Sequence, residues 1–125
     1  MMTKSIIQVF PLSLVLLISG CGDSSVNLAA PGDIFFTELM PLTAAGEPQW
    51  LELYNRTEGS IDLQGCEITN TRGQAFTITD NLVVKSQQYS VVANASHGAD
   101  FIYQPHLFEI SPIGGLRLTC NGSII

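Results

Sequence analysis

The chain has 125 residues, 46% of them apolar, which is enough for one domain and no more. Five Lys plus Arg stand against eleven Asp plus Glu, a formal net charge of −6 at pH 7. That balance excludes nucleic acid as an expected partner, because phosphate-backbone binding runs on cationic neutralisation, and it also disfavours a polybasic contact with anionic lipid.

The first twenty residues read as an address. Lys4 supplies a minimal positive end, and Ile6 to Ile18 carries no charge although Pro11 interrupts it. This span is short of the roughly twenty residues that a bilayer-crossing helix needs. Ile18-Ser19-Gly20-Cys21 resembles the bacterial lipobox, in which small residues enter a peptidase site and a cysteine thiol takes the lipid. Residues 1–20 are therefore expected to be a lipoprotein signal peptide and Cys21 the diacylated mature N-terminus; the alternative is an ordinary signal peptide with a chance cysteine. Two or more acyl chains anchor stably, so the expected partner of Cys21 is the membrane itself. Removing residues 1–20 removes Lys4 and leaves four cations against eleven carboxylates, a net −7. Gly22, where an aspartate would favour inner-membrane retention by resemblance to enterobacterial sorting, implies an extracytoplasmic location at the outer membrane. Residues 21–32 (CGDSSVNLAAPG) are small, polar and unpatterned and read as a lipidated cysteine on a flexible tether, with the domain at 33–125.

Within the domain, Ile34 to Met40 is a nearly continuous apolar run that stops at Pro41. Leu42 to Pro48 is a loop. Trp50-Leu51-Glu52-Leu53-Tyr54-Asn55 alternates, with Leu51 and Leu53 on one aliphatic face and Trp50, Glu52 and Tyr54 on the other. Asn55 to Ser60 supplies turn residues, Asn55 as a residue tolerant of left-handed angles. Ile61 to Thr69 continues as strand, with Gly65 marking a bulge or a close backbone approach. Ala75 to Thr79 alternates Phe76 and Ile78 against threonines, and Leu82 to Val84 and Tyr89 to Ala93 follow as strands. Asn94 to Pro112 is unpatterned and reads as a long loop with some aromatics tucked inward. Leu116 to Thr119 is a strand, Asn121-Gly122 is a type I′ hairpin signal, and Ser123-Ile124-Ile125 reads as a last strand that is cut short. About seven to nine short strands and no helical periodicity argue an all-β sandwich or barrel.

The order W-x-E-L-Y-N, I-D-L-x-G, E-I-T-N and F-T-I resembles the lamin tail domain family. The resemblance begins near Ile34, covers roughly ninety residues, and is carried by Glu38, Trp50, Glu52, Asn55, Leu63, Gly65 and Phe76. It implies an immunoglobulin-like β-sandwich in which these residues are structural. Members often carry a tryptophan where this chain has Cys66.

Four residue groups bear on chemistry. Cys66 and Cys120 either bridge in an oxidising compartment or remain two buried free thiols. Glu38 and Glu52 can meet across adjacent strands, and either a carboxylate pair or a calcium site with Asp33 or Asp62 is conceivable. Both are nonetheless expected to be structural. His97, Asp100 and His106 share the long loop at a spacing that matches no metal-ligand face, so no metal and no cofactor is expected. No G-x-S-x-G, H-E-x-x-H, C-x-x-C or P-loop pattern occurs. The expectation is a non-enzyme: a lipid-anchored extracytoplasmic binding or scaffolding module whose partner is another envelope protein or a polysaccharide. The alternative is a fragment of a larger nuclease, phosphatase or protease with its catalytic part elsewhere.

Overall fold

The computed structural model describes residues 25–125, so the expected signal peptide and the lipidation site Cys21 lie outside the described residues. Among the described residues the chain forms strands β1 Val26–Leu28, β2 Ile34–Met40, β3 Trp50–Asn55, β4 Ser60–Asp62, β5 Glu67–Asn70 and β6 Ala75–Thr77. They continue as β7 Val83–Val84, β8 Tyr89–Ala93, β9 Phe101–Ile102, β10 Leu116–Cys120 and β11 Ser123–Ile124. Three ladders result, in the orders β2-β3-β8-β9, β11-β10-β5-β6 and β1-β4-β7. Backbone bonds from Leu63 N to Leu82 O, Gly65 N to Ile78 O and Ile78 N to Cys66 O carry the pairing of β4 with β7 on into that of β5 with β6. The β1-β4-β7 and β11-β10-β5-β6 groups thus make one kinked layer, and the β2-β3-β8-β9 sheet is the other.

Alternation decides which side of each strand faces the gap between the layers. Leu51 and Leu53 of β3 are fully buried, and Val92 of β8 stands beside Leu51 in the register. From the other layer Ile61, Ile68, Val84 and Leu118 meet them in one continuous core. Each such side chain contributes about 1.5–3 kcal/mol on burial. Phe76 of β6, Phe101 of β9, Tyr103 and Phe108 close the side of the sandwich with stacked and edge-on rings.

Several expectations need correction. Val26–Leu28, read as tether, is β1 and pairs in parallel with Ser60–Asp62. Gly65 marks neither a bulge nor a close approach: it takes a φ of +83° in the turn closed by Cys66 N to Leu63 O, and a Cβ there would meet nothing within 4 Å. The irregularity in the ladder lies in β2, between Phe36 and Glu38. Asn94 to Pro112 does tuck its aromatics inward, Phe101, Tyr103 and Phe108 joining Ile110 in the core, but it also contains the short strand β9, which its unpatterned sequence did not indicate. At the hairpin Asn121-Gly122 both residues take positive φ, as a type I′ turn requires.

Asn55 is not a left-handed turn residue; its side chain is what matters. It is wholly buried, and its amide donates to the carbonyls of Gly59 (2.8 Å), Val84 (2.9 Å) and Lys85 (3.2 Å) while its Oδ1 accepts from Thr57 N (2.9 Å). Cys66 lies just before β5 rather than in a strand, and it is disulfide-bonded to Cys120 at the end of β10, with Cα atoms 4.4 Å apart and a sequence separation of 54.

Asn55→Asp keeps the shape and the acceptor but turns the donor toward three carbonyls into a charge, so it should cost about 3 kcal/mol in urea unfolding; a near-neutral result would contradict the network. Replacing both cysteines by alanine should remove about 4 kcal/mol, the loop-closure value for a ring of this size, as read from the urea unfolding midpoints of the disulfide-bonded chain and the variant.

Candidate functional site

The outer face of the β2-β3-β8-β9 sheet is where the chain leaves reactive and recognition-type side chains uncovered. Its residues fall into rows set by the register. Phe35, Tyr54 and Tyr89 form one row, Glu38, Glu52 and Val91 the next, and Met40, Trp50 and Ala93 the third. In the first row the Tyr54 and Tyr89 rings sit 4.7 Å apart and Arg56 lies 5.6 Å over the Phe35 ring.

At the Trp50 end the face becomes an open groove of about 530 Å³. Trp50, Met40 and Ala93 line it from the strands, Leu42, Glu47 and Pro48 from the β2–β3 loop, and His97 and Ala99 from the segment after β8. Gln49 fixes this wall. Its amide donates to the carbonyls of Pro41 (2.6 Å) and Ile110 (3.1 Å) and its Oε1 accepts from Ile110 N (3.0 Å), so both ends of the loop are pinned to the core segment.

The register brings Glu38 and Glu52 directly opposite each other. Thr37 donates its hydroxyl to Glu52 Oε1 at 2.7 Å, which orients that carboxylate. The calcium arrangement does not assemble: Asp33 accepts from Ala30 N and Asp62 from Gln64 N, each bracing its own turn. Asp100 accepts from Val91 N at 2.8 Å, and His97, Asp100 and His106 form no metal-ligating cluster, nor does any other such group occur among the described residues.

The sequence matches the lamin tail domain over residues 27–113. The chain belongs to the lamin tail domain family. No curated protein and no solved structure gives a match. The matched span starts within β1, earlier than the motifs suggest, and stops before β10. The all-β sandwich of this lamin tail domain is the immunoglobulin-like architecture that its motifs imply. Of the motif residues, Leu63 and Phe76 are core, Asn55 and Gly65 hold turns, and Trp50, Glu52 and Glu38 stand on the outer face. The disulfide joins Cys66 inside the matched span to Cys120 outside it.

Tyr103 is the lamin tail domain's one strongly perturbed titratable group among the described residues. Burial, and secondarily the charge of Glu109, push its phenol up from 10.0 to about 12. Such shifts mark functional sites when they lie in reactive clefts. Here the cause is the surrounding aromatic cluster, with Phe76 stacked at 4.7 Å and Phe108 edge-on at 5.3 Å, and the hydroxyl has no hydrogen-bond partner.

Removing that orphaned hydroxyl by Tyr103→Phe should raise stability by about 1 kcal/mol at neutral pH. The folded state holds the neutral phenol more tightly than the unfolded chain does. Its contribution is therefore complete below pH 10 and is lost as pH rises through about 12, and Tyr103→Phe should flatten that alkaline loss in urea midpoints taken at successive pH values. A less stable phenylalanine variant would mean that the hydroxyl is satisfied.

Proposed function

We propose that this lamin tail domain is a non-catalytic binding or scaffolding module of a bacterial cell envelope, lipid-anchored through Cys21 outside the cytosol at the outer membrane. The observation that carries the reading is the groove at Trp50: an open, largely apolar depression with an aromatic, a thioether and two carboxylates, built on a sheet whose other face packs Leu51, Leu53 and Val92 into the core. Rigid strands with loop walls are the usual way a sandwich presents a recognition surface. The Ile18-Ser19-Gly20-Cys21 sequence supports the anchor. A Cys66–Cys120 disulfide is in keeping with an oxidising compartment.

The topology also supports an outward-facing groove. β1 pairs with β4 from Val26↔Ser60, next to the Asn55 end of β3, because Asn55 bonds the Gly59 carbonyl. Trp50 is at the other end of β3, about 17 Å along the strand. An anchor preceding β1 therefore attaches at the end away from the groove. Because Phe101, Tyr103, Phe108 and Ile110 anchor the later part of Asn94 to Pro112 in the core, the reading rests on Leu42–Pro48 and the short segment around His97 to Ala99, which line the groove.

The test uses the full chain in bacterial cells with a photo-crosslinking residue at the exposed Leu42. Mass spectrometry should find Cys21 acylated, the protein in the membrane fraction, and a crosslinked neighbour whose yield falls at least ~10-fold in Trp50→Ala. A thermal unfolding scan of the variant checks that it folds. An unmodified Cys21 with the chain in the cytosolic fraction would overturn the reading.

A further inference from the structure

The groove carries more information about its occupant than its shape. Glu47 and Glu52 line it, and Glu38 sits opposite Glu52 in the register, a like-charge pair that is unfavourable when nothing intervenes. Among the described residues no lysine or arginine lines the groove. Arg56 is committed to the Phe35 ring at the far end of the face, and Arg72 pairs with Glu109 at 3.2 Å. The carboxylates of this end are therefore left to be balanced from outside, beside the faces of Trp50 and Met40.

We infer that the groove takes an extended peptide segment of a partner protein in which a lysine or arginine is flanked by apolar residues. The inference rests on the binding-module reading above. The cationic head meets Glu52, whose position is set by Thr37, and Glu47 on the facing loop; the aliphatic stem and the flanking side chains lie on Trp50, Met40 and Leu42. A second copy of this chain does not fit, since a two-fold contact across this face would bring Glu38, Glu47 and Glu52 against their own counterparts.

Trp50 is the single tryptophan of the chain, so its intrinsic fluorescence reads the groove alone. The full acylated chain in detergent is titrated with a capped heptapeptide of alternating valine and lysine, with the valine–glutamate peptide, and with chitohexaose. The valine–lysine peptide should give a saturable change in emission, with affinity reduced at least ~10-fold in the Glu47→Gln/Glu52→Gln double variant and lowered by salt. Glu52→Gln retains an acceptor for Thr37, so loss of binding there reports charge. The valine–glutamate peptide should be silent. Equal response to both peptides, or no effect of the double variant, would overturn the inference. Response to chitohexaose with both peptides silent would also overturn it while leaving the binding-module reading intact. Silence from all three together with an absence of crosslinks in cells would remove both.

Discussion

Ladders of only two to six residue pairs supply too few backbone bonds to fix where the connecting segments of this sandwich lie, and three side-chain amides take over that task. Asn55 ties the end of β3 to the carbonyls of Val84 and Lys85 at the end of β7. Asn70 donates to the Glu109 carbonyl and accepts from Arg72 N and Gln74 N, and Gln49 joins Pro41 to Ile110. A carboxamide suits the role because it offers donors and an acceptor from one planar group without a charge to desolvate. Each amide converts a loop from a flexible link into part of the packed body. The disulfide does the same for the Leu63–Cys66 turn and the end of β10.

The consequence for function lies in what these clamps leave free. With the loop ends pinned and Leu51, Leu53 and Val92 buried on the inner side, the outer face of β2, β3 and β8 is left open, its rows about 6.8 Å apart. Aromatic rings occupy one end, carboxylates the middle and the Trp50 groove the other end. Facing carboxylates on adjacent strands are unfavourable as a bare pair, and the Thr37 hydroxyl that donates to Glu52 Oε1 is the contact the sandwich itself supplies there.

Legibility in the sequence followed the range of the interactions. The alternation of β3 and the Asn121-Gly122 turn depend on adjacent residues, and both could be read directly. Asn55 was visible as a turn residue, and it does bond Thr57 and Gly59 nearby, but its other partners lie 29 and 30 residues away, beyond any local pattern. Gly65 signalled a special backbone angle, and sequence alone could not say whether a turn or a bulge required it. β9 escaped because it is two residues long and pairs in parallel with β8, a ladder whose return of only about 7 Å needs no crossover helix and leaves no alternation. β1 escaped because its exposed residues sit in polar, small-residue surroundings and only its pairing with β4 makes it a strand. The groove was half legible: Trp50 and Glu52 stood out, whereas their meeting with Leu42–Pro48 and His97 needed the tertiary fold.

The unexpected β1 changes what a lipid at Cys21 would do. A tether running to Gly32 would let the domain wander tens of ångströms from the bilayer. With pairing already begun at Val26, the five peptide units from Cys21 span at most about 18 Å. That is roughly two Debye lengths at physiological ionic strength, close enough for charges on the domain and on anionic headgroups to sense each other weakly. On that anchoring the excess of carboxylates would push the body away from the surface while the short leash would hold its β1 end down. The two forces together favour an upright domain with the Trp50 end outermost, so on the lipid-anchored reading the strand that shortens the leash also orients the groove.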